Sequence, residues 1–159
     1  MSETYTSAGY AGGLRIEKVI TSGIFALDGG EWEVDNNVWI VGDDSEVYII
    51  DAAHNAEAIA EAVGDRRVKG ILATHGHSDH IDAAPELSRL VDAPVYLHPT
   101  DGFLWQRQNP GAHYRQLVDG ATFDIAGTEL RVLSTPGHSP GSVVIYAQEA
   151  GELFSGDTL

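Results

Sequence analysis

The sequence predicts a mixed α/β domain made from two sets of strands, and three observations carry that prediction. Strand-like and helix-like stretches alternate up to residue 98. From residue 121, four short strand-like stretches follow one another across tight, Gly-containing turns. The residues with chemical character fall where apolar runs end. At 159 residues, 43% hydrophobic and 21% charged, the chain has the size and composition of one domain with a sizeable core. No fixed-period repeat and no low-complexity segment interrupts it.

In chain order, residues 1–13 are small and polar and read as a flexible N-terminal arm, leaving 14–159 as the domain. Leu14 to Phe25 alternates and is β-branched enough for a strand, and Asp28-Gly29-Gly30 is a turn signal. Asn37–Val41 and Glu46–Ile50 read as a hairpin across Gly42–Ser45, the second strand ending at Asp51. Asn55–Val63 has apolar residues at helical spacing with Asn55 as its N-cap. Val68–Ala73 is a short buried strand. Pro85–Val91 is a helix with Pro at a tolerated early position, and Pro94–Leu97 is another strand, ending at His98. Residues 99–120 are irregular, aromatic and turn-rich, a length that in a compact domain usually serves or covers a site. Ala121–Ile125, Thr128–Leu133, Ser142–Tyr146 and Glu152–Ser155 complete the second set, which with the first could form two halves of a sandwich.

Nine basic against 24 acidic residues give a net charge of −15, which argues against nucleic-acid binding and against an anionic membrane surface. There are no cysteines, so disulfides, thiolate ligands and a Cys nucleophile are excluded. The first residues lack the charged start and apolar centre of a signal peptide, and no apolar run approaches the roughly 18 residues of a membrane span. A cytoplasmic protein is the expectation.

The chemistry concentrates in Thr74-His75-Gly76-His77-Ser78-Asp79-His80, directly after the Val68–Ala73 run. Three imidazoles and a carboxylate in so short a loop suit zinc, and also iron or manganese. Gly76 lets the loop turn His75 and His77 toward one point while Asp79 and His80 face a second. Two further stretches at strand ends complete the picture. Residues 134–142 (STPGHSPGS) present His138 in a Pro/Gly loop, and 154–158 (FSGDT) present Asp157. His75, His77 and His138 make a three-nitrogen site with room for a water. Asp79, His80 and Asp157 make an oxygen-rich neighbour, with Asp157 able to bridge two ions.

These stretches together, with the strand-ending Asp51, resemble the metallo-β-lactamase fold superfamily, and within it the glyoxalase II (hydroxyacylglutathione hydrolase) group. The resemblance implies an αββα sandwich of two mixed sheets flanked by helices, with the metal site at one edge between them. It implies two divalent metal ions, with His75, His77 and His138 at the first and Asp79 and His80 at the second. Asp157 is then the bridge, and Asp51 orients the metal-binding loop from behind. It further implies hydrolysis of a small, anionic thioester by metal-activated water, with Asp79 able to guide a proton to a poorer leaving group. Family members continue past the bridging carboxylate and add another His to the second site. His54, His98 and His113 all precede the His138 motif and are expected not to be ligands. The domain is therefore expected to lack its C-terminal part. Phe103, Trp105, Arg107, His113, Tyr114 and Arg115 could wall a substrate site, or the loop aromatics could simply cover the core. Other hydrolases (a lactonase or β-lactamase), an iron persulfide dioxygenase and an inactive metal-binding fragment remain alternatives. The oligomeric state is not legible.

Overall fold

The computed structural model describes residues 6–11, 14–27, 29–148 and 151–155, and the side chains of all of these except 6–11 and 25–27. Two sheets and four helices form the described architecture, in the order β1 (Thr6–Ala11), β2 (Leu14–Leu27), β3 (Gly30–Gly42), β4 (Glu46–Ile50), α1 (Ala56–Val63) and β5 (Arg67–Leu72). Then come α2 (Ser78–Ile81), α3 (Ala84–Val91), β6 (Val95–Leu97), a 3-10 turn at Pro99–Asp101, α4 (Gly102–Gln108) and β7 (Arg115–Gln116). The chain ends its described course with β8 (Thr122–Ile125), β9 (Thr128–Ser134), β10 (Val143–Ala147) and β11 (Glu152–Phe154). The first sheet runs β1 to β7 in sequence order, antiparallel through β4 and parallel from β4 to β7. The second has the order β11-β10-β9-β8 and is antiparallel over its described strands, so among the described residues the mixed pairing lies in the first sheet.

Period-2 alternation assigns the two faces of the first sheet. Val38 and Ile40 of β3 and Val47 and Ile49 of β4 pack with Ile59, Val63, Ile81, Leu87 and Trp105 from the helices. Val41, Tyr48 and Ile50, one residue out of phase, pack with Ile125, Leu130, Val132, Val143, Ile145 and Phe154 of the second sheet. The register slips between Val47 and Tyr48 where β4 meets β5. Lys69 is the extra residue of that bulge, and the Tyr48 and Tyr96 rings close over Gly70, where any Cβ would crowd them. Among the described residues the helices cover one face of the first sheet and the second sheet covers the other.

Several elements differ from the sequence reading. Residues 6–11 of the expected arm pair with β2 over the register Thr6–Val19 to Ala11–Leu14, a backbone union that demands no apolar side chains. The β2–β3 hairpin is far longer than Asn37–Val41 implied, pairing from Arg15–Gly42 out to Leu27–Gly30. Its outer half lies beyond the core, with Glu31, Trp32 and Glu33 exposed although Trp32 and Val34 alternate with acidic residues. Part of the irregular 99–120 stretch is helix α4, whose Trp105 is fully buried and donates from its indole N–H to the Ala112 carbonyl. Trp105 also stacks edge-on with Tyr114, so this pair belongs to the core. As expected, Asn55 caps α1, its side-chain oxygen accepting from the Ala58 N–H at 3.0 Å.

Candidate metal centre

The carboxyl ends of the parallel strands β4, β5 and β6 point to one edge of the first sheet, the usual place for a site in such sheets. Asp51 follows β4, Thr74 and His75 follow β5, and Asp101 closes the turn after β6. The β9–β10 loop comes to the same edge because the Val143 N–H donates to the Thr74 carbonyl at 2.8 Å.

Two groups of donor atoms form there. One ligand atom each from His75, His77 and His138 lies within 4.8 Å of the others, and the same holds for His75, Asp79 and His80. The three rings of the first group meet nearly edge-to-face, with centroids 4.6–4.9 Å apart. His77 Nδ1 stands 3.0 Å from His138 Nε2. His75 is common to both groups and lies 4.2 Å, ring to ring, from His80. Asp79 and His80 sit on the helical turn α2 rather than on loop backbone, which places both side chains beside His75. Asp157, the expected bridge, lies outside the described residues. His54, His98 and His113 belong to neither group: His98 caps the 3-10 turn through the Thr100 N–H, and His113 is exposed.

Hydrogen bonds set which imidazole nitrogens face inward. The Thr74 hydroxyl donates to Asp51 Oδ2 at 2.7 Å, leaving its oxygen to accept from His75 Nδ1 at 3.1 Å. That assignment makes Nε2 the lone-pair nitrogen of His75. His80 Nδ1 faces the same Asp51 oxygen at 2.8 Å, and its Nε2 faces Asp79 Oδ2 at 3.4 Å. Asp51 also accepts from the Thr74 N–H at 2.7 Å. It adopts a left-handed φ of 62° to do so, a strained conformation for a non-glycine residue. One carboxylate behind the loop thus orients two of its three imidazoles.

Electrostatics act on two of these donors as well. Burial, reinforced by the neighbouring His138, pushes the His77 imidazole below its usual range and toward the neutral form. Burial raises the Asp79 carboxyl, but the hydrogen bond and charge of His80, then Asn36 and His75, outweigh it and hold the group ionised well below the usual carboxylate range. Neutral imidazoles and an ionised carboxylate are the forms in which these side chains accept a metal ion. The donor set fits a divalent ion of borderline softness.

Asp101 is a residue the sequence reading passed over. It is fully buried, and its carboxylate accepts from the Gly76 N–H at 2.8 Å, the Gly141 N–H at 2.7 Å and the Ser139 hydroxyl at 2.6 Å. It therefore ties the His75–His77 loop to the His138 loop. Asn36 and the His54–Asp82 pair were also missed: the Asn36 amide reaches Asp79 and His80, and His54 reaches Asn36. The only signal for either was a polar residue inside an otherwise strand-like or turn-like stretch.

Beside His80 a cleft of about 230 Å³ is lined by Asp35, Asn36, Asn37, Trp39, Asp51 and Phe154 among others, and none of its described lining residues is Lys or Arg. Arg115, one of the expected cationic contacts, instead lies over the Tyr96 ring, 6.0 Å from its centroid. No described helix is long and apolar enough to cross a membrane.

Comparison with known proteins agrees with the fold. The probable metallo-hydrolase YqgX of Bacillus subtilis is 31% identical over 138 residues, which cover 77% of this chain and 65% of that protein. The atrochrysone carboxyl ACP thioesterase AgnL7 of Paecilomyces divaricatus is 29% identical, covering 91% of this chain and 45% of that one. The chain thus spans about two thirds or less of the length of these relatives. The crystal structure of the BLEG-1 B3 metallo-beta-lactamase superposes with a TM-score of 0.64 at 29% identity, over 87% of this chain and 72% of that chain. The Metallo-beta-lactamase superfamily matches residues 32–159, from the hairpin through every strand of the second sheet. With its two-sheet sandwich and histidines gathered at the carboxyl ends of the parallel strands, the chain belongs to the metallo-beta-lactamase superfamily.

Proposed function

We propose that this chain is the catalytic part of a metal-dependent hydrolase that cleaves a thioester of a small thiol, in the manner of hydroxyacylglutathione hydrolases. The convergence of His75, His77 and His138 from two separate loops, beside Asp79 and His80, carries the reading. His75, His77 and His138 would hold one divalent ion, zinc in the first instance, and Asp79 and His80 would take part in holding a second, with Asp157 joining them. Such an ion, when bound, brings the pKa of a coordinated water toward neutrality and polarises a carbonyl.

The chain's own residues set the conditions. Asp51 and Thr74 orient His75 and His80 before any ion arrives, so little reorganisation is needed on binding. Asp79, ionised beside His80, is placed to accept a proton or to steer one. A thiolate leaves without protonation, which matches a site whose described residues include no nearby Lys or Tyr acid. The described cleft wall pairs Asp35, Asn36, Asn37 and Asp51 with the apolar Trp39 and Phe154. The thioesterase name of the Paecilomyces relative supports this bond type.

The test is turnover of a panel of small-thiol thioesters, lactones and a β-lactam by zinc-reconstituted protein. Thioester cleavage that a chelator abolishes and zinc restores is the expected result. His77→Ala is expected to lower it by more than about a hundredfold, beyond what loss of an outer partner costs, with the melting temperature nearly kept. Undiminished turnover in that variant at saturating metal would sink the assignment. A second reading has its own observation: His75, His80 and Asp79 supply the two-imidazole, one-carboxylate set of non-haem iron oxygenases. Elemental analysis showing one iron per chain, with oxygen consumed on a persulfide, would move that reading first.

A further inference from the structure

β3 turns Val38 and Ile40 into the helix-facing core, and Asn36 is the next residue on that face. An amide there is costly to bury unless its polar atoms are used, and all of them are. Its Nδ2 lies 3.1 Å from Asp79 Oδ2 and 3.2 Å from His80 Nε2, while its Oδ1 faces His54 Nε2 at 2.8 Å. Asp79 Oδ2 and His80 Nε2 are themselves 3.4 Å apart, so one amide group spans the two donor atoms.

Behind Asn36, His54 is locked in turn. Its backbone N–H donates to Asp82 Oδ1 at 2.6 Å and its ring Nδ1 lies 2.8 Å from Asp82 Oδ2. The ring is almost fully buried, and the residue holds a left-handed φ of 64°. Strain of that kind persists only where surrounding contacts over-determine it. Gly23 on β2 leaves the space: a Cβ there would stand 2.2 Å from His54 Nδ1. Asp82 terminates α2, the turn that carries Asp79 and His80. The run Asp82–His54–Asn36 therefore begins at the end of that turn and returns to its two donor side chains.

We propose that Asn36 is a positioning residue for a divalent cation at the Asp79–His80 subsite, braced by His54 and Asp82. Asp51 fixes His80 from one side through Nδ1; Asn36 donates to Asp79 Oδ2 from the other. The inference rests on the metal-site reading above and deepens it, since it concerns how the second ion is held and not which bond is cleaved.

The experiment is titration of the metal-free protein with Co²⁺, followed by calorimetry and by the visible ligand-field spectrum, in wild type, Asn36→Leu and His54→Ala. Leu keeps the branched shape of Asn36 and removes its polar contacts, while His54 bonds to Asn36 and Asp82. In wild type two ions are expected. In Asn36→Leu the first should bind within about twofold of wild type and the second at least tenfold more weakly, with an altered spectrum for the second ion alone. His54→Ala should weaken the second ion three- to tenfold. Second-ion affinity unchanged in whichever variants fold, or an equal loss for both ions, would overturn the proposal by leaving Asn36 a merely structural role. Wild type that binds fewer than two ions would overturn it as well, and would count against the two-ion site itself. Thioester turnover does not enter the readout, so failure of the substrate reading would show separately.

Discussion

The two loops that meet at the histidine cluster are built on opposite plans. The loop after β5 leaves a parallel strand covered on both faces, and Thr74 and His75 are each only 1% exposed. Its shape is imposed from outside by Asp51, through the Thr74 N–H and hydroxyl, and by Asp101, through the Gly76 N–H. The β9–β10 loop leaves an antiparallel hairpin and carries an exposed His138. It closes on itself, the Thr135 N–H donating to the Ser142 carbonyl and the Gly137 N–H to that of Ser139. The one buried carboxylate that both loops share is Asp101, which belongs to neither. Relative placement of His77 and His138 thus rests on Asp101, in the turn after β6, together with the bond from the Val143 N–H to the Thr74 carbonyl.

Asp101→Asn is the most severe way to break this arrangement. The substitution preserves shape but turns an amide donor toward donors, leaving at least one of the Gly76 N–H, Gly141 N–H and Ser139 hydroxyl without an acceptor in a dry setting. Hydrogen bonds to a charged group and the loss of one partner in a buried polar network point to a cost of about 3–5 kcal/mol. Urea unfolding is the measurement, with metal affinity of the His75–His77–His138 group expected to fall in parallel. A stable variant with unchanged affinity would show that the two loops hold their relative position without this carboxylate.

How much of this was legible from sequence follows from how far apart the cooperating residues lie. The histidine motifs are local, and their ligand character shows in seven residues; the strands of the core show in the alternation of β3 and β4. Asp101 does not show, because its partners lie 25 and 40 positions away and its neighbours, Pro99 and Gly102, read as an ordinary turn. Asn36 hides in a polar run, EVDNN, that looks solvated, since the outer half of the same strand is. Helix α4 is seven residues long, opens on Gly and exposes Phe103 while burying Trp105, too short a span for helical periodicity to declare itself. The antiparallel second sheet was legible as strands but not in its pairing, because period-2 patterning fixes faces and leaves neighbours open.

A gentler perturbation presses on the same contact from the other side. A Cβ on Gly141 would stand 2.8 Å from the Asp101 carboxyl carbon, one carboxyl oxygen and the backbone nitrogen, and backbone cannot swing aside as a side chain can. Gly141→Ala is therefore expected to cost about 1–3 kcal/mol by overpacking, read by urea unfolding, and to weaken metal binding less than Asp101→Asn does.

Gly137, four residues earlier in the same loop and next to His138, supplies the control. No described atom lies within 4 Å of a Cβ built there, and its backbone needs no left-handed conformation. Ala at that position also narrows the unfolded ensemble, an effect that opposes any small loss in the fold. Gly137→Ala is expected to change stability by no more than about 0.5 kcal/mol and to leave metal affinity unaltered. The pair is informative because both substitutions add one methyl group to one loop. A large effect at Gly141 with none at Gly137 places the loop's rigidity in its contact with Asp101. Equal losses at both would place it in the loop's own Pro- and Gly-set backbone, and Asp101 would then serve the β5 loop alone.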